Sequence, residues 1–187
     1  MTREEKRRYI ESKFPQLQLV TRRDWAEAAC DIWVKVWEQS PWENLDEVPA
    51  NPLTPSVSLM QHMQFVIDTC VQVAKARQSL RGEPLNMDVL IVAAVLHDVS
   101  KLLEYERRGG KEVLSRLGEL YLHGFYGAHM ALEAGLPEEI VHLISTHPPS
   151  IPFQFKMAEG LIIHYCDLID ADLNRFRIGA PLWASQK

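Results

Sequence analysis

The stretch Ala93-Ala94-Val95-Leu96-His97-Asp98-Val99-Ser100-Lys101 decides how this chain is read. An apolar run leads directly into a histidine beside an aspartate. Burying such a pair without a partner is costly. A divalent cation is the partner that satisfies both most simply, because imidazole nitrogen and carboxylate oxygen suit Fe, Mn, Zn and related ions. The pair points to a metal centre, so the rest of the chain is read for further ligands.

In chain order the candidates are His62, His97, Asp98, His123, His147 and Asp167. His62 lies in Leu59-Met60-Gln61-His62-Met63-Gln64-Phe65, among core-type residues. Asp167 lies in Leu161-Ile162-Ile163-His164-Tyr165-Cys166-Asp167-Leu168-Ile169, an apolar helix that disfavours a bare carboxylate. Taken singly, such a histidine is ordinarily a hydrogen-bonded core residue, and such an aspartate a cap or ion-pair partner. The set as a whole reads differently. Apart from the adjacent pair, each member falls on a separate expected helix or helix end, as when facing helices of a bundle converge on a buried site.

The surrounding pattern is helical almost throughout. Trp25, Ala28, Ala29, Ile32, Trp33, Val36 and Trp37 recur at three- and four-residue spacings and predict a helix over 21–39. Thr21 followed by Asp24 resembles a capping box. Pro41, Pro49, Pro52 and Pro55 make 40–56 a loop. Further helices are expected over 57–80, over 87–107 up to Gly109-Gly110, over 111–117, over 123–134, over 137–146 with Pro137 at its first position, and over 154–177. No alternating strand pattern of useful length is visible. The expectation is an all-α bundle: an N-terminal helical extension and Pro-rich loop (1–56) packed on a core domain (57–187).

With 187 residues the chain can bury one sizeable core. Its 47% hydrophobic content is ordinary for a globular protein. A net charge of -5 leaves no extended basic surface for a nucleic-acid backbone, although a few local cations could grip a small phosphorylated ligand. Cys30, Cys70 and Cys166 are far apart and show no paired spacing, which suits free thiols of a reducing compartment. No signal segment or membrane span is visible, so the expected location is the cytoplasm. A homo-oligomer is compatible with the sequence.

The ordered set His62, His97-Asp98 and Asp167 resembles the HD-domain superfamily of metal-dependent phosphohydrolases, and His97-Asp98-Val99-Ser100-Lys101 is close to its His-Asp-(Ile/Val)-(Gly/Ser)-Lys form. The similarity spans about 57–177. It implies one metal held by His62, His97, Asp98 and Asp167. His123 and His147 occupy the places of the two extra histidines found in members that hold two metals bridged by the HD aspartate. His123-Gly124-Phe125-Tyr126-Gly127-Ala128 is also similar to a stretch of the HD hydrolases that split diadenosine tetraphosphate. The Gly-Tyr-Pro signature of cyclic-di-GMP phosphodiesterases and the Glu-Asp pair of (p)ppGpp hydrolases are missing.

What the resemblance implies is hydrolysis of a phosphoester or phosphoanhydride, in a nucleotide or another small phosphate compound, by metal-activated water. Two divalent ions are expected; Fe, Mn, Co, Zn and Ni are not distinguished. Asp98 and Lys101 are the expected catalytic residues, with Lys101 on a phosphate oxygen or orienting the HD carboxylate. Arg175 or Arg177 reaches a second phosphate or forms a salt bridge. Asp170 is placed to accept the free ring N–H of a ligand histidine. His164 is either an orienting residue or a packed core histidine; His129 and His142 fall off the ligand faces. Arg107, Arg108 and Lys111 read as a solvated face, and Trp25, Trp33 and Trp37 as packing. The same six ligands also fit di-iron oxygenases of the HD fold, and a non-catalytic HD signalling module is a further reading.

Overall fold

The computed structural model of the chain describes residues 1–150 and 155–185. Thr2 and Glu5 close a reciprocal capping box on α1 (Arg3–Lys13). Helix α2 (Arg23–Gln39) buries Ala26, Ala29, Cys30, Trp33, Val36 and Trp37 along one stripe. Ser58 and Gln61 form a second capping box on α3 (Leu59–Arg81), which stops at Gly82 in the left-handed conformation (φ 65°). Asn86 caps α4 (Met87–Leu96) by accepting from the Val89 N–H. There follow α5 (Lys101–Glu104), the strands β1 (Tyr105–Arg108) and β2 (Lys111–Leu114), and α6 (Arg116–Leu120). The helices α7 (His123–Glu133), α8 (Glu138–Thr146) and α9 (Ala158–Arg177) complete the order.

Helix α4 has no polar side. Val89 through Leu96 are at most 2% exposed. A helix apolar all round must be surrounded, and α2, α3, α8 and α9 pack on it. One hydrophobic cluster runs from Ile10 and Phe14 through Trp33 and Leu90 to Ile144 and Ile163. The architecture is all-α, interrupted among the described residues by one two-stranded hairpin and an isolated bridge. None of the described helices is long and apolar enough to cross a membrane.

Several local expectations are corrected. The helix expected over 87–107 ends at Leu96, and the chain tightens into i→i+3 bonds: Val99 N–H to Leu96 O (3.2 Å), Lys101 to Asp98 O (3.0 Å) and Leu103 to Ser100 O (2.9 Å). Two carbonyls at the end of α4 take side-chain donors: Ala94 O accepts from His97 Nδ1 (2.8 Å) and Val95 O from Trp33 Nε1 (2.8 Å). Residues 111–114 are a strand, not a helix. They pair antiparallel with 105–108, Tyr105 opposite Leu114 and Arg108 opposite Lys111. The turn is Gly109-Gly110 at φ 60° and 79°, a left-handed geometry that glycine adopts without cost. Pro137 stands just before α8 as its cap. Helix α9 begins at Ala158; Gln154, where it was expected to begin, lies outside the described residues.

The Pro-rich segment is a loop, as expected. An antiparallel bridge between Pro49 and Ser58 closes it, with Ala50 N–H on Val57 O (3.0 Å) and Leu59 N–H on Val48 O (2.7 Å). Trp33 and Trp37 are buried in the core, while Trp25 is half-buried under the Arg22 guanidinium (4.5 Å). Arg107 and Arg108 are exposed and paired with Glu112 and Glu106.

Thr21 does not cap α2. Its N–H (2.9 Å) and hydroxyl (2.6 Å), with the Arg22 N–H (2.9 Å), donate to the Asp88 carboxylate, pinning the start of α2 to the start of α4. Burial raises the Asp88 pKa, but these bonds and the Arg22 charge outweigh it and hold the carboxyl below its ordinary value. A depressed carboxyl stabilises the fold above its unfolded pKa and loses that contribution as the pH falls through the folded value. Asp88→Asn should cost about 1–3 kcal/mol at pH 7. In urea denaturation the gap from the parent protein should narrow as the pH falls below about 4. Equal midpoints at pH 7 would contradict this role.

Candidate metal centre

Helix ends deliver most of the site. His97 is the C-cap of α4 and His147 the C-cap of α8, both in right-handed helical geometry. Each ring turns back on its own helix: His97 Nδ1 meets Ala94 O (2.8 Å) and His147 Nδ1 meets Ile144 O (2.7 Å). A carbonyl only accepts, so Nδ1 carries the proton and Nε2 presents a lone pair. His62 sits in the first turn of α3, with Nδ1 2.7 Å from Asp170 Oδ2. Asp170 also accepts from Asn174 Nδ2 (3.0 Å), one turn along α9. His123 opens α7; its Nδ1 lies 3.3 Å from Glu104 Oε2, and its carbonyl accepts from Ser100 Oγ (2.6 Å).

All six expected ligands meet. Asp98 Oδ2 is 3.2 Å from His62 Nε2 and 3.5 Å from His97 Nε2, and His62 Nε2 is 3.2 Å from Asp167 Oδ1. Asp98 Oδ1 is 3.3 Å from His123 Nε2 and 3.4 Å from His147 Nε2. Two groups of donor atoms result, each within 4.8 Å: His62, His97, Asp98 and Asp167, then Asp98, His123 and His147. Asp98 belongs to both, through different oxygens.

These residues fit a cation on two counts. Donor atoms bound to one ion at about 2.0–2.2 Å lie roughly 3 Å apart, close to the separations seen here. And the Nε2 atoms of His62, His97 and His147 and Asp98 Oδ1 are buried with no hydrogen-bond partner among the described residues, while Asp98 Oδ2 has the Lys101 ammonium on one side. Buried polar atoms are rarely left so. A cation on each side of Asp98 would satisfy them.

The electrostatics agree. Burial pushes His97 down to about 4 against the pull of Asp98, so its ring is neutral and able to ligate. Burial acts downward on His62 too, but Asp167, Asp170 and Asp98 outweigh it and hold that ring well above its ordinary value. A proton and a cation therefore compete for His62 Nε2. Burial also acts downward on Lys101, but Asp98 and Asp167 raise it, so it stays charged. Its Nζ is 2.6 Å from Asp98 Oδ2 and donates to Ala50 O (3.2 Å).

Other expected residues separate. His164 Nδ1 is 3.1 Å from the His147 carbonyl, so it steadies the backbone of a candidate ligand. His129 and His142 belong to neither donor group. Arg175, expected at the substrate, turns instead to the C-terminal segment: Nε donates to the Pro181 carbonyl, and the guanidinium lies 4.9 Å from the centroid of the Trp183 ring. Sequence reasoning did not single out roles for Ser100, Glu104, Asn174 or Trp183. Asn174 had a signal, its four-residue spacing from Asp170; Trp183 had none.

The stretch His123–Ala128 owes its glycines to packing. A Cβ on Gly124 would stand 2.8 Å from Pro148 Cγ and 3.0 Å from Ile144 O, and one on Gly127 would stand 3.2 Å from Ile144 Cγ2. Small residues let α7 lie against α8 and bring His123 beside His147, ring centroids 5.2 Å apart. A cavity of about 210 Å³ opens over the donor atoms, walled by the Pro-rich loop, by α9 and by Trp183.

Comparison with known proteins agrees with this geometry. Among curated proteins, the chain is similar to the dihydroneopterin 2',3'-cyclic phosphate phosphodiesterase of Methanocaldococcus jannaschii, 23% identical over 128 residues. That covers 62% of this chain and 47% of the relative, so the chain spans about half the length of the curated protein it matches. No solved structure matches. The HD domain profile matches residues 59–172, more than half of the chain and all six donor residues, and the chain belongs to the HD domain family.

Proposed function

We propose that this chain is a metal-dependent phosphohydrolase that cleaves a phosphoester or phosphoanhydride of a nucleotide or another small phosphate compound with water. The single observation that carries this is the Asp98 carboxylate, buried and shared between two sets of nitrogen and oxygen donors beneath an open cavity. The similarity to a cyclic phosphate phosphodiesterase points the same way. The residues that would hold two divalent cations are His62, His97, Asp98 and Asp167 on one side and Asp98, His123 and His147 on the other. Such a pair supplies positive charge to phosphoryl oxygens and acidifies water.

The chain's own residues do the rest. Asp98 fixes the spacing between the two donor groups. Asp170 and the Ala94 and Ile144 carbonyls lock three imidazoles in the ligating tautomer. Lys101 has three N–H donors. One faces Asp98 and one the Ala50 carbonyl, which leaves the third for a phosphoryl oxygen in the cavity that Lys101 lines. No covalent nucleophile is needed. Lys101 adds a fixed charge where negative charge develops.

Three measurements test this. Protein loaded with Mn should release phosphate from at least one nucleotide or phosphoester under strict anaerobiosis; turnover only with O2 and a reducible iron pair would favour the oxygenase, and stoichiometric metal without turnover the signalling module. His97→Ala and Asp98→Ala should remove metal and turnover together, whereas Lys101→Ala should keep its metal by elemental analysis and lose about 100-fold in kcat; loss of metal in Lys101→Ala would refute its role. Asp170→Asn should weaken metal affinity about 10–100-fold by chelator competition, with stability little changed.

A further inference from the structure

Phosphohydrolase chemistry leaves the organic part of the substrate open, and the cavity wall speaks to it. Among the described residues that line the cavity, Lys101 is the one lysine or arginine. It is already committed to Asp98 and Ala50 O. Beyond the donor atoms the lining is uncharged, Asn51, Thr54, Tyr105, Asn174 and Trp183, except for the acid Asp170. Among the described residues a second or third phosphate would meet no lining cation of its own and would face that acid, and an unpaired charge drawn out of water is expensive.

Trp183 is held at the rim by its own apparatus. Asp172 on α9 accepts from the backbone N–H of Trp183 (2.6 Å) and of Ala184 (3.1 Å). Arg175, one turn on, lies over the indole at 4.9 Å and donates to the Pro181 carbonyl. Two charged side chains of α9 thus fix an aromatic ring on the wall of the cavity that the Pro-rich loop also lines. An indole with a guanidinium against one surface offers the remainder to a flat ring.

We infer that the cavity takes a compound with a single phosphoryl group and a flat ring, and that Trp183 selects the ring, with Arg175 and Asp172 as its positioning residues. The phosphoryl group belongs over the donor atoms and Lys101; the ring belongs against Trp183, its edge within reach of Asn51 and Thr54. Polyphosphates, dinucleoside polyphosphates included, are rejected by charge. The inference rests on the phosphohydrolase reading for where the phosphoryl group sits, but it concerns binding and is testable without turnover.

The test is calorimetric titration of Mn-loaded protein with inorganic phosphate, ribose 5-phosphate, phenyl phosphate, AMP and ADP. AMP or phenyl phosphate should bind about tenfold tighter than ribose 5-phosphate, the size expected for one aromatic stack. ADP should bind more weakly than AMP. Trp183→Ala should abolish the ring preference and leave inorganic phosphate affinity unchanged; Trp183→Phe should retain most of it; Arg175→Ala should weaken it. ADP binding tighter than AMP, or a Trp183→Ala protein with its ring preference intact, would overturn the inference. So would equal loss of inorganic phosphate affinity in Trp183→Ala, because a general disruption would explain that. If the binding order holds while the Mn-loaded protein hydrolyses no nucleotide, phosphoester or phosphoanhydride in the anaerobic assay, the hydrolase reading falls and this one stands.

Discussion

One carboxylate sets the terms for the rest of the molecule. Asp98 is 1% exposed, and its Oδ1 has no hydrogen-bond partner among the described residues. An ionised carboxylate in that position is several kcal/mol out of balance unless positive charge is close. Lys101 supplies some of it at Oδ2. Oδ1 has no such help: it faces Nε2 of His123 and His147, and the second of these presents a lone pair. Lone pair against lone pair is repulsive, and no described residue donates between them to relieve it. A cation on each side would do so, and the donor set fits a site for positive ions.

Meeting that constraint dictates how the helices end. An α-helix leaves its last carbonyls without partners. Here α4 and α8 each give one of those carbonyls to the ring of the histidine that follows. The same bond satisfies the helix, fixes the tautomer and aims Nε2 at the centre. Since α4 and α8 pack together, the two rings meet edge to face at 4.9 Å. The tight turn after Leu96 then puts Asp98 beside His97 and brings Ser100 round to hold the His123 carbonyl. An unbroken helix through 97–101 would have spread these side chains around its circumference by 100° per residue.

How much of this was legible follows from the physics of each signal. The stripe on α2 and the capping residues of α3 and α4 are local and periodic, so the helices they govern could be read directly. The six donors could be read because polar groups in apolar runs demand partners. The break after Leu96 could not. It depends on Trp33, 62 residues away, taking the Val95 carbonyl, and no local propensity encodes that. The hairpin escaped because its four-residue strands carry charges and are partly exposed, which hides any alternation, although Gly109-Gly110 was a usable turn signal. Thr21 was misread as a cap because a hydroxyl before a helix looks the same whether it serves its own helix or a distant carboxylate. Arg175 was misread for a related reason: a cation near a phosphate site suggests a phosphate, and only the fold shows it spent on Trp183.

The N-terminal segment is tied to this centre more closely than its composition suggests. Trp33 reaches the end of α4, and Trp42 Nε1 donates to the Tyr105 carbonyl (3.1 Å) just past α5. The Ala50 carbonyl takes one donor of Lys101, and the Pro49–Ser58 bridge seats the loop on the start of α3, one turn before His62. Each contact crosses residue 56, and each touches an element that carries a candidate ligand or its neighbour. We therefore propose that both sides of that boundary fold as one unit. Prolines suit such a wall. They restrict the unfolded chain more than the folded one, so a loop with little core of its own holds its shape at low entropic cost. The outcome is a site whose floor comes from helix ends of the family core and whose rim comes from segments outside the matched region. That division would let one candidate metal-binding floor serve different small molecules: the floor answers to the charge on Asp98, and the rim to the rest of whatever is bound.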